Sequence, residues 1–155
     1  DANGDAASLA RLFEARPDVF NHNIETVARL QRAVRPSAGY ARSLGVLSAA
    51  RSAGLIAKSG LVLGMGETVE EVDGCLADLA SIGVSIVTMG QYLRPTSHHL
   101  PVARWIHPDE FARWKEVGES LGIAHVEASP LTRSSYHARQ SADAASVPVT
   151  IGGRR

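Results

Sequence analysis

Apolar and polar positions alternate between two spacings along this chain, a helical one and an extended one. Asp5 is placed to cap a first helix in which Leu9, Leu12 and Phe13 share a face, and Pro17 marks its end. Residues 18–21 are extended and lead into a polar run, Asn21-His22-Asn23. Over residues 24–34, Ile24, Val27, Leu30 and Val34 fall at the spacing of one buried helical stripe, and the spacing predicts a helix there. Residues 35–39 break that pattern. A further helix over 40–53 closes at Gly54, the usual place for a residue that must enter the left-handed region.

Residues 55–65 read as a strand that turns through Gly64-Met65-Gly66-Glu67 into another helix. Thr68 and Glu71 make a T-x-x-E capping pattern at its entrance, Val72, Cys75, Leu76 and Leu79 form its apolar stripe, and Gly83 ends it. Residues 84–89 are mostly apolar, as expected of a strand covered on both faces. An irregular stretch, 90–107, follows. Pro108 then opens a helix that Gly122 stops, and 123–127 make a last short strand. Strands alternating with helices predict an α/β fold with a parallel sheet, open or bent into a barrel. The strands are few for either, so the sheet is expected to be incomplete.

The 155 residues carry 16 Lys+Arg against 16 Asp+Glu, and this balance argues against a broad nucleic-acid or membrane-surface patch. No apolar run approaches the roughly 18 residues of a membrane span. One cysteine permits neither an intrachain disulfide nor an all-cysteine metal centre. Cys75 lies on an apolar helical stripe and is read as packing, and Trp105, Phe111 and Trp114 as core or rim. His98 and His99 are adjacent and point apart in an extended chain, and the histidines show no zinc spacing.

Three candidate turns would share one mouth, because ligands bind at the carboxyl ends of parallel strands: 21–23, 64–67 and 90–92. Tight turning alone also explains each of them. On the strand, Ile56, Lys58, Gly60, Val62 and Gly64 share a face. A lysine beside two glycines suits a cavity wall, or else an edge position where it snorkels to water. The Gly64–Glu67 turn lacks the Lys and Ser/Thr of a phosphate loop, and Glu67 at a helix entrance would repel an anion. A nucleoside fits this turn better than a nucleotide triphosphate.

Several long motifs, collinear from about residue 1 to 138, resemble lipoyl synthases. They are Asn21-His22-Asn23-Ile24-Glu25-Thr26, Arg35-Pro36 with Tyr40-Ala41-Arg42-Ser43-Leu44, and Lys58-Ser59-Gly60-Leu61-Val62-Leu63-Gly64-Met65-Gly66-Glu67-Thr68. Gly90-Gln91-Tyr92-Leu93 and the closing Pro130-Leu131-Thr132-Arg133-Ser134-Ser135-Tyr136-His137-Ala138 complete the set. The resemblance implies the C-terminal part of a partial (β/α)6 radical S-adenosylmethionine barrel over 1–127. It implies a C-terminal cluster-binding segment over 128–138, and 139–155 are expected to form a disordered tail. Within it, residues 60–67 match the superfamily's G-x-I-x-G-x-x-E element, with Val62 in the Ile place.

The family's chemistry is the insertion of two sulfurs at C6 and C8 of a protein-bound octanoyl chain. It uses S-adenosylmethionine and two [4Fe–4S] clusters, the auxiliary one being consumed as sulfur donor. The implied partners are octanoylated lipoyl carrier domains, such as the E2 subunits of dehydrogenase complexes and the glycine-cleavage H protein, with neither nucleic acid nor membrane. The implied location is the bacterial cytoplasm, or the mitochondrion in a eukaryote. By the same resemblance, Asn21, Asn23, Glu25, Arg42, Lys58, Gly64, Glu67 and Tyr92 bind the S-adenosylmethionine cofactor. Asn23 and Glu25 would meet its ribose or methionine end, with Arg42 or Lys58 on the carboxylate. Ser135 would ligate the auxiliary cluster, where turn capping is the plainer account of two serines. Both cysteine motifs of the family are missing. The chain is therefore expected to be a portion that holds no cluster and turns nothing over by itself. The alternative is a cluster-free paralogue that binds S-adenosylmethionine or a lipoyl domain.

Overall fold

A computed structural model describes residues 2–135. The tail and the Tyr136-His137-Ala138 end of the closing motif lie outside the described residues. Four parallel strands form one sheet in the order β1-β2-β3-β4: β1 Val19–Asn21, β2 Ile56–Leu63, β3 Ile86–Gln91 and β4 His125–Ala128. Among the described residues five α-helices accompany them: α1 Ala6–Glu14, α2 Gln31–Val34, α3 Tyr40–Ser52, α4 Val69–Ser81 and α5 Pro108–Ser120. The parallel α/β expectation is met.

Strand order equals chain order, so no crossover reverses direction and right-handed crossovers put the helices on one face. The core bears this out. Ala57, Leu61 and Leu63 of β2, Val87 and Met89 of β3 and Val126 of β4 pack with Leu47 of α3, Val72, Leu76 and Leu79 of α4, and Phe111 and Trp114 of α5. Among the described residues, no helix of the core cluster packs on the opposite face. Register places Asn21, Lys58, Ile86 and His125 along one row of that face, and Gly60, Thr88 and Glu127 along the next.

Helix boundaries follow local chemistry. Asp5 accepts from the Ser8 amide (2.8 Å) to cap α1. Thr68 and Glu71 form a reciprocal capping box on α4, and His107 with Glu110 forms another on α5 behind Pro108. Gly54, Gly83 and Gly122 follow α3, α4 and α5 at positive φ.

The helix expected over 24–34 is absent; its only regular parts are a 3-10 turn, Ala28–Leu30, and the short α2. The reason is the edge of β2. Glu25 donates its amide to Gly60 O and accepts from Val62 N, both at 2.9 Å, so the chain runs beside the strand instead of coiling. Ile24 and Val27 are still buried, because apolar residues three apart satisfy this path as well as a helix. One smaller expectation also fails: Trp105 is 70% exposed, neither core nor rim.

Candidate functional site

The loop after β2 is shaped by its own carboxylates. Gly64 (φ +113°) and Gly66 (φ +111°) adopt conformations that side chains resist. A Cβ on Gly64 would also stand 2.6 Å from the carbonyl of Arg104. Glu67 is buried and turns back on the loop, accepting from the amides of Gly64 and of Met65 (2.9 Å). Beyond it, Glu71 accepts from Thr68 N and from both fork nitrogens of Arg29 (2.6 and 2.8 Å). Arg29 also reaches Gly66 O at 2.8 Å. These bonds, led by the guanidinium, hold the Glu71 carboxyl down at about 2. Glu67 was expected to act by repelling an anion. The structure gives a different reason for the absence of a phosphate site: the loop's amides and the α4 terminus are already filled from within the chain.

A cleft of about 170 Å³ opens on that opposite face near the carboxyl ends of β1–β3. Its walls include Asn23, Glu25, Gly60, Thr88, Gly90 and Ser134. Each is placed by backbone. Asn23 is fixed where Arg35 Nη1 donates to its carbonyl (2.7 Å) and Ile24 N donates to Ser59 Oγ (3.1 Å). Glu25 sits at φ +70°, a costly value for a non-glycine, held by its two bonds to β2. Gly60 is needed for closeness, since a Cβ there would stand 2.8 Å from Thr88 Oγ1 and 3.0 Å from Asn23 Oδ1. Asn23 Oδ1 is enclosed without a hydrogen-bond partner among the described residues, a vacant acceptor beside the cleft.

The far wall is the segment after β4. Ser129 N donates to Met89 O and Gln91 N to Pro130 O, both at 3.2 Å, so the segment leaves alongside the end of β3. It then crosses Gly90 so closely that a Cβ there would overlap the Thr132 carbonyl oxygen. Lys58, only 3% exposed, donates Nζ to the carbonyl of Ser134 at 2.6 Å. Lys58 is therefore an interior residue of the open face and does not snorkel; burial lowers its pKa. Ser135 follows and is exposed.

The remaining expected residues are not among the walls of this cleft. Asn21 is exposed at the end of β1. Arg42, on α3, donates Nη2 to Ser37 O and lines a groove between α1 and α3 as well as a shallow opening at 36–39. Tyr92 donates its hydroxyl to Leu100 O (2.9 Å) and lines a separate pocket of about 160 Å³ with Met65, His98 and His99. His22, 7% exposed, is neutral, its pKa lowered to about 4 by burial, with the charges of Arg35 and Arg42 adding. Sequence reasoning missed Thr88 and Thr132. Thr88 carried a signal, a lone hydroxyl in an apolar strand and in register with Gly60. Thr132 carried none.

No group of three or more metal-ligating side chains occurs among the described residues. Cys75 is buried under α4, and burial pushes its thiol up to about 12, which is packing chemistry. No described helix is long and apolar enough to cross a membrane.

Fold and cleft together define a singly wound parallel α/β domain with a polar cleft at its strand carboxyl ends. No protein-family model matches the chain. Curated proteins do. Lipoyl synthase of Rubrobacter xylanophilus is 52% identical over 145 residues, 92% of this chain and 45% of that protein. Lipoyl synthase of Mycobacterium leprae is 49% identical over 152 residues, 98% of this chain and 48% of that protein. Lipoyl synthase of Tropheryma whipplei is 54% identical over 138 residues, 89% and 39% of the two chains. Over that shared stretch the chain is a homologue of lipoyl synthases, and it spans less than half the length of these relatives.

Proposed function

We infer that the chain forms the C-terminal portion of a lipoyl synthase, whose complete barrel would continue from the β1 edge. The complete protein would insert two sulfurs into an octanoyl chain carried on a lipoyl domain, in the cytoplasm of a bacterium. The observation that carries this reading is the cleft between Asn23 and Gly60, in a chain about half identical to proteins of that name.

The cleft suits part of S-adenosylmethionine. The vacant acceptor Asn23 Oδ1 calls for a hydroxyl or amine donor, which a nucleoside offers and a phosphate does not. When bound, this cofactor supplies the hydrogen-abstracting radical. The chain's own contribution is to hold and orient it. Asn21, Asn23 and Glu25 would face its ribose and amino-acid end, with Arg42 toward the carboxylate. Gly64 and Tyr92, with the loop that Glu67 pins, would frame the base.

An iron–sulfur cluster does not fit the donors this chain offers. Its one cysteine is buried in the apolar core, and Ser135 brings a single hard oxygen. In this reading the thiolates come from the part of the relatives that this chain does not cover.

Calorimetric titration of the chain with S-adenosylmethionine tests the reading. Binding is expected, and Asn23→Ala is expected to weaken it by about tenfold, the value of one hydrogen bond. Equal binding by wild type and Asn23→Ala would refute the assignment of this cleft.

A further inference from the structure

Strand β3 is apolar at Ile86, Val87 and Met89, and between them it buries one hydroxyl, that of Thr88, which is 3% exposed. A valine would fill that place with the same branched shape and no hydroxyl to desolvate. The fold makes little use of the hydroxyl. Among the described residues its one bond is to the Ser59 carbonyl at 3.5 Å, well beyond the usual length for an O–H donor. Gly60 is its register partner on β2, and a Cβ on Gly60 would stand 2.8 Å from Thr88 Oγ1 and 3.0 Å from Asn23 Oδ1. Two oxygens from different elements thus flank the bare face of one glycine, in a cleft that all three residues line. Asn23 Oδ1 is enclosed and has no partner among the described residues, so the pair is set up for something the chain does not itself supply.

We propose that Thr88 is a specificity-determining residue of this cleft: together with Asn23, across Gly60, it reads the vicinal 2′- and 3′-hydroxyls of a ribose. The inference rests on the reading above that the cleft takes S-adenosylmethionine. Asn23 Oδ1 can only accept, and Thr88 Oγ1 has lone pairs free to accept, so the ligand must bring a donor to each. A ribose brings two, on adjacent carbons. The cofactor's other donors have places of their own in that reading. The adenine amine lies with the base at the Gly64 loop. The ammonium is drawn to Glu25, the one carboxylate among the described cleft walls and a stronger partner for a cation than two neutral oxygens. Gly60 lets the sugar ring come close, where a side chain would occupy the space between the oxygens. A deoxyribose would leave one of the two oxygens buried and unpaired, so the pair selects ribonucleosides.

Calorimetric titration of the chain with 5′-methylthioadenosine, which keeps base and ribose and lacks the amino-acid end, tests the proposal. Thr88→Val should weaken binding about tenfold, the value of one hydrogen bond, and Thr88→Ser, which keeps the hydroxyl, should retain most of the affinity. One of the 2′-deoxy and 3′-deoxy analogues, having lost the hydroxyl that Thr88 meets, should bind wild type and Thr88→Val equally. The thermal midpoint of Thr88→Val should be no lower than that of wild type, because the hydroxyl gives the fold so little. A loss that persists in full with both deoxy analogues overturns ribose recognition, as does a valine effect seen with S-adenosylmethionine and absent with 5′-methylthioadenosine. Unchanged affinity in Thr88→Val, beside a loss in Asn23→Ala, overturns the role of Thr88 and leaves the cleft reading standing. Unchanged affinity in both variants, or no binding to wild type, overturns the cleft reading and the proposal with it.

Discussion

Replacing Glu67 separates a ligand-facing carboxylate from one that serves the loop. The side chain is 6% exposed and accepts two backbone amides, from Gly64 and Met65. Glu67→Ala leaves both donors facing a void. Bonds to a charged acceptor contribute about 1.5–3 kcal/mol each, and two that share one carboxylate do not add fully, so the loss is roughly 2–4 kcal/mol. Glu67→Gln keeps one oxygen but turns an amide donor toward the other N–H, so about half that loss is expected. With a urea slope of about 2 kcal/mol per molar, the alanine variant should unfold about 1–2 M earlier. Exchange at the amides of Gly64 and Met65 locates the effect. An alanine variant within about 0.5 kcal/mol of wild type, with those amides still protected, would refute the argument, since such a small change marks a surface residue.

Further consequences follow from the same geometry. Gly90→Ala places a methyl on the Thr132 carbonyl, so the closing segment should lift and be cleaved by protease at 130–135 several times faster; an unchanged cleavage rate would deny the close crossing. Gly60→Val should abolish S-adenosylmethionine binding by filling the space between Asn23 and Thr88, with the thermal midpoint lowered by only a few degrees; retained affinity would place the ligand elsewhere. His22 is neutral in the fold with its pKa lowered to about 4, so the unfolded chain binds a proton first as pH falls below the ordinary value near 6.5. Stability should drop by roughly 3 kcal/mol between pH about 6.5 and 4, and His22→Gln should flatten that part of the curve in pH-dependent denaturation.

What could be read from the amino acids was mostly local. The capping box at Thr68 and Glu71, Pro108 at the start of α5 and the glycines after α3, α4 and α5 act within a few residues, and the structure has them all. The parallel sheet was legible because strands and helices alternate. The segment 24–34 was not, because its apolar spacing serves a helix and a strand-hugging path equally, and the pairing of Glu25 with Leu61 decides between them. At the site, Asn23, Glu25 and Lys58 were legible as residues, but not what they do. The grip of Lys58 on Ser134 depends on a partner 76 positions away, and the inward turn of Glu67 on the conformation of its own loop.

The central claim is that this chain supplies the C-terminal part of a lipoyl synthase. Its most direct test is to join the chain to the complementary portion of the Rubrobacter xylanophilus protein, reconstitute the clusters, and follow an octanoylated lipoyl domain by mass spectrometry. The carrier is expected to gain two sulfurs. A folded, cluster-loaded hybrid that cleaves S-adenosylmethionine yet leaves the octanoyl chain unchanged would contradict it.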